Sequence, residues 1–151
     1  MTDAEIAILL LSLKVSAVAI LAAAPIAFAV AWLLARVQFT GKLLLDAFIH
    51  LPLVVPPVVT GWMLLILFGP QGPIGGMLER LFGVTLMFRW SGAALAAAVM
   101  AFPLMVRAMR LSIEAVDVRL ENAARTLGAS RWRVLASVTL PLCLPGMAAG
   151  L

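Results

Sequence analysis

VSAVAILAAAPIAFAVAWLLA, residues 15–35, is a run of 21 residues without a charge. Coiled as an α-helix at 1.5 Å per residue, it reaches about 31 Å, enough to cross about 30 Å of hydrocarbon. The apolar pattern around it extends the first span to about 6–35. Lys14 lies near one end, where a long side chain carries its charge out to the headgroups. Pro25 predicts a kink and not an end, because neighbouring helices can satisfy the carbonyl it frees.

The rest of the chain has the same character. Hydrophobic residues make up 64% of the 151 and charged residues 12%, where soluble domains average about 45–50% and about 25%. A 151-residue soluble fold has no interior large enough for that much apolar surface, so lipid must cover much of it. Further spans are expected at about 47–69, 90–106 and 134–151. The second holds Pro52, Pro56 and Pro57, so its first half cannot be a straight helix. The third repeats alanine every fourth residue, at Ala93, Ala97 and Ala101, a spacing that lets helices approach closely. The fourth carries Pro141 and Pro145 and reaches Leu151 with no basic anchor after it, which reads as a chain cut inside or just after a span. The expected fold is therefore an all-α membrane protein, one transmembrane domain over 1–151 with about four helices. Met1 to Glu5 has acids and no base, so the first segment reads as a retained span and not a cleaved signal.

The net charge of +4 belongs to topology here. The eleven basic residues lie in the turns between apolar runs and not in a stripe on a soluble domain, which argues against nucleic acid as a partner. Arg36 and Lys42 follow span one, and six arginines lie between Arg107 and Arg133, giving eight on one side. Lys14, Arg80 and Arg89 give three on the other. Positive-inside then puts the N-terminus outside and the arginine-rich stretch in the cytoplasm. One cysteine, Cys143, and one histidine, His50, rule out an internal disulfide or a multi-cysteine metal site, and no cofactor is expected. Asp46 and His50 are one helical turn apart and could form an interfacial pair.

The stretch between spans three and four, about 111–133, holds a short amphipathic helix. Asp117 suits an N-cap, and Leu120, Ala123, Ala124 and Leu127 fall at i, i+3, i+4 and i+7 on one stripe. Gly128 suits the left-handed residue that ends a helix, and Ser130 can cap the next one. Periodicity alone also fits a helix resting on lipid headgroups.

Asn122-Ala-Ala-x-x-x-Gly128, nine residues, then Val138-x-Leu140-Pro141 resembles the EAA loop of ABC importer permeases, whose pattern is Glu-Ala-Ala, three residues, Gly, nine residues, Ile-x-Leu-Pro. The departures are Asn122 for Glu and Val138 for Ile, with Glu121 one residue early. Asn122 puts in doubt any carboxylate pairing from that position. The segments 50–61, 98–110 and 116–133 are similar to the molybdate branch of these permeases, and the likeness covers nearly the whole chain. The resemblance implies a five- or six-helix core of which this chain lacks at least the last span, with 117–128 as a cytoplasmic coupling helix. It implies ATPase coupling through Leu120, Glu121, Asn122, Ala123, Ala124, Leu127, Gly128, Leu140 and Pro141.

As partners it implies cytoplasmic ABC ATPase subunits, a second permease subunit, expected to be a second copy, a periplasmic molybdate-binding protein and the lipid itself. The implied function is import of molybdate, and often tungstate, with hydrolysis carried out by another chain. No Gly-x-x-x-x-Gly-Lys-Ser/Thr occurs here: the one Gly-Lys, Gly41-Lys42, has Arg36 where the first glycine should stand. A permease for sulfate or thiosulfate is the nearest rival. An intramembrane enzyme would need a nucleophile, base or metal cluster, and no paired intramembrane carboxylates occur.

Overall fold

A computed structural model describes residues 3–83, 85 and 87–148, all but Arg131 and Met147 with their side chains. Its regular elements are helical. Two are long and apolar enough to cross a membrane uninterrupted: α1, Asp3–Arg36, and α5, Trp90–Glu114. Pro25 sits inside α1 and Pro103 inside α5, and neither ends its helix.

The expected second span is not one helix. It is α2, Lys42–Val54, and α3, Pro57–Phe68, bent from one another by 110°. Pro52 is absorbed within α2, and the break falls at Val55 and Pro56. Each of those residues precedes a proline, and a following ring pushes a residue out of the α region. Pro57 then opens α3, where a missing N–H costs nothing. α3 turns into α4, Pro73–Phe82, through Gly69 and Gly72. The two helices approach so closely that a Cβ at Gly75 would overlap the carbonyls of Phe68 and Gly69. Gly83, at φ +64, ends α4.

α5 also departs from expectation. It continues eight residues past the apolar run, which closed near Val106, to Glu114. Over that extension Val106, Met109 and Ile113 are buried while Arg107, Leu111 and Glu114 are exposed, an amphipathic stripe that keeps the helix going past the lipid. In the alanine-rich part of α5, Ala94 is buried, Ala101 half-buried, and Ala93 and Ala97 are exposed on this chain.

After α5 come α6, Val118–Thr126, and α7, Arg131–Val134, then a π-helical turn, Leu135–Thr139, and α8, Leu140–Ala148. The expected fourth span is thus a helical run that changes from α to π and back, and residues 149–151 of it lie outside the described residues.

Contacts group the chain into two compact units, Met1–Ala23 with Ala47–Pro103, and Ala24–Asp46 with Leu104–Leu151. In the first, the Lys14 ammonium stands 4.2 Å from the centre of the Trp90 ring. In the second, Ala27, Ala31 and Leu34 of α1 and Val106, Met109 and Ile113 of α5 are fully or almost fully buried. α8 packs on the end of α5 in that unit, where a Cβ on Gly146 would stand 2.5 Å from Ser112 Oγ.

Candidate functional site

The second unit carries the segment that the sequence singles out. Asp117 caps α6: its carboxylate accepts from the Arg119 N–H at 2.8 Å. At the other end Leu127 N–H reaches Ala123 O, Gly128 N–H reaches Arg125 O and Ala129 N–H reaches Ala124 O. Gly128 sits at φ +85, the left-handed conformation that glycine adopts without a Cβ penalty. Ser130 Oγ then accepts from Arg133 N–H at 3.4 Å and starts α7. Nine residues of helix are thus held between two turns whose chemistry is local.

The exposed side of α6 carries apolar residues together with Arg119, Asn122 and Arg125, and its buried residue is a carboxylate. Leu120 is 51% exposed and Leu127 88%, while Glu121 is 6% exposed. Asn122, Ala123 and Gly128 are also exposed and Ala124 half-buried, so six of the expected coupling residues are exposed or partly so. Leu140, half-buried, and Pro141, exposed, open α8 and lie off that stripe.

Glu121 is turned to the inside, and two residues that sequence reasoning passed over receive it there. Arg36, the last residue of α1, donates through Nη2 to Glu121 Oε1 at 2.8 Å. The same nitrogen reaches Ile113 O at 3.0 Å and Val116 O at 3.2 Å, carbonyls at the end of α5. The Ile113 carbonyl also accepts from Val116 N–H at 3.2 Å, and a cation there answers the negative end of the helix. Thr139, 1% exposed, donates its hydroxyl to the same Glu121 Oε1 at 2.8 Å. One carboxylate oxygen therefore joins α1, α6 and the π turn, and the guanidinium adds α5. A cavity of about 220 Å³ lies beside the cluster, lined in part by Trp32, Arg36, Arg125 and Thr139.

The π turn has a visible cause. Pro141 has no N–H, and its ring crowds the carbonyl four residues back, that of Ser137. The preceding turn widens, and Leu140 N–H bonds Leu135 O, five residues back. Thr139 lies inside the widened turn. A second ionic cluster lies nearby: Arg110 pairs with Glu114 at 2.8 Å and, more loosely, with Asp46 at 3.3 Å.

Two uninterrupted apolar helices and a broken helix pair are the architecture of a multi-pass membrane protein. The chain belongs to the family of binding-protein-dependent transport system inner membrane components, whose pattern matches residues 23–151. It is similar to the molybdenum transport system permease protein ModB of Escherichia coli K12, 59% identical over 150 residues, 99% of this chain and 66% of that protein. Its similarity to ModB of Haemophilus influenzae is 55% over 147 residues, 97% of this chain and 64% of that one. To the sulfate transport system permease protein CysT of Escherichia coli K12 it is 38% over 120 residues, 80% of this chain and 43% of that protein. The chain thus spans just under two thirds of the length of the curated molybdenum relatives it matches.

Proposed function

We propose that this chain contributes to the membrane-spanning subunit of an ATP-driven importer that moves molybdate, and tungstate of the same charge and shape, into the cytoplasm. A second copy of the permease completes the path, one ATPase subunit docks against α6 of each copy, and a periplasmic molybdate-binding protein delivers the anion. The observation that carries this reading is the outward side of α6: Leu120 and, at its C-cap, Leu127 are exposed while Glu121 is buried. A helix that exists to complete its own domain would bury the leucines. One that receives a partner leaves them out.

Orientation follows the same reading, with the N-terminus outside and α6 in the cytoplasm. The eight-to-three distribution of basic residues supports it. Arg36 touching the end of α5 supports it as well, because the C-terminal ends of α1 and α5 then share a membrane face. The two spans cross in the same sense, so the segment between them must return across the bilayer. The bent pair α2 and α3 serves as that return when it forms one broken span.

Molybdate is preferred to sulfate because identity is 59% with a molybdenum permease and 38% with a sulfate permease. In the transport cycle, closure of the ATPase pair carries α6 with it, and the differing contacts α6 makes in the two ATPase states bias the spans between inward- and outward-open arrangements. The substrate is tested by uptake of labelled molybdate into cells that express the protein with its ATPase and binding protein. Uptake competed by tungstate and unaffected by a hundredfold excess of sulfate is the expected outcome. Uptake abolished by that sulfate overturns the molybdate assignment.

A further inference from the structure

We propose that Arg36 and Thr139 are positioning residues for coupling: through the Glu121 carboxylate they lock α6 to the ends of α1 and α5 and to the run into α8, so that these elements move as one body when α6 is displaced. The inference rests on α6 receiving the ATPase stroke, and it concerns what happens behind that surface.

The mechanical problem is posed by the length of α6. Nine residues of helix reach about 13 Å, and an isolated helix that short is marginal. It is joined to α5 through Ala115–Asp117 and to α7 through Leu127–Ser130, turns whose backbone–backbone bonds are all local. A push on the exposed face could therefore be spent in bending the turns, unless something other than the chain ties α6 to the spans.

Glu121 supplies that tie. Its side chain is 8% exposed and that of Arg36 16%, so water competes little for either. Oε1 takes one hydrogen bond from α1 and one from the π turn, each at 2.8 Å. Arg36 Nη2 has two protons and three acceptors within 3.2 Å, which draws the α5 terminus into the same node. Charge-assisted bonds of this kind are short and directional. Removing one partner of a buried pair leaves the other charge uncompensated, which resists separation of the elements.

The Thr139 hydroxyl is the most informative link, because it can be removed with almost no change of shape. In proteoliposomes holding the protein, its ATPase and the binding protein, three quantities are read: ATPase co-purification, ATP hydrolysis without anion, and molybdate taken up per ATP hydrolysed. Thr139→Val is expected to leave the first two unchanged and to lower the third roughly tenfold or more, the scale of one lost hydrogen bond to a charged group. Thr139→Ser, which keeps the hydroxyl, is expected to restore the ratio. Arg36→Lys keeps the charge but not the fork of donors, and is read in the same way should Thr139→Val reduce yield.

A merely structural brace would lower yield or thermal stability and leave uptake per ATP intact. That result in both variants overturns the proposal. Failure of the underlying docking reading shows elsewhere: Ala124→Asp, on the edge of the outer stripe, would then co-purify with the ATPase as the unmodified protein does. Loss of co-purification in Ala124→Asp together with an unchanged ratio in Thr139→Val and Arg36→Lys refutes the positioning role alone.

Discussion

Glu121 shows how a single side chain reverses the meaning of a motif. Lying one place before Asn122-Ala-Ala, it counts by the family resemblance among residues offered to a partner, and the structure buries it against Arg36. Replacing one member of a buried ion pair strands the other, so Glu121→Leu is expected to cost about 3–5 kcal/mol of stability. The double replacement Arg36→Met with Glu121→Leu should cost less than the single one. Thermal unfolding in detergent checks both, and a double variant less stable than Glu121→Leu alone would contradict the account. Gly128 is a separate case. At φ +85 a Cβ there meets nothing within 4 Å, so the cost of a side chain is backbone strain alone. Gly128→Val should therefore cost on the order of 1 kcal/mol or more, insert normally and misdirect α6. Asn tolerates the left-handed region, so Gly128→Asn should retain most ATPase co-purification and Gly128→Val should lose it. Equal retention by the two would show that the turn does not aim the helix.

Among the elements, the legible ones were those whose cause lies in neighbouring residues. The α1 span, the Asp117 cap, the left-handed Gly128 and the Ser130 start of α7 all follow from local chemistry, and the structure has each of them. The 110° break between α2 and α3 was half legible: three prolines announced irregularity, but Pro52 stayed inside a helix, and consecutive prolines at 56 and 57 made the bend. Which face of α6 is buried was not legible, because Arg36 lies 85 residues away along the chain and nothing in the periodicity connects them. Ala97 is a related case. Its spacing marks a close-packing row, yet it is exposed on this chain, so spacing alone does not identify which neighbour fills it. The π turn yields a prediction at this scale. Pro141→Ala restores an N–H and removes the crowding on Ser137, so the turn should relax towards α and rotate Thr139 away from Glu121. Uptake per ATP should then fall to the level of Thr139→Val. An unchanged ratio would separate the proline from the node.

In the whole molecule, one short helix, α6, is proposed to join the membrane-spanning part to the ATPase. Topology is the first test. Ser130→Cys should resist an impermeant thiol reagent in right-side-out vesicles and react in inverted ones, and the opposite pattern would invert every assignment of side. The central claim is that the outer stripe of α6 meets an ATPase subunit and not the headgroups. Site-directed photocrosslinking decides it, with a photoreactive residue in turn at Leu120, Leu127 and Glu121 in membranes holding the assembled complex. The account predicts crosslinks to the ATPase from Leu120 and Leu127, altered when ATP is added, and none from Glu121. Crosslinks from both leucines to phospholipid alone, with the ATPase present and bound, would contradict it.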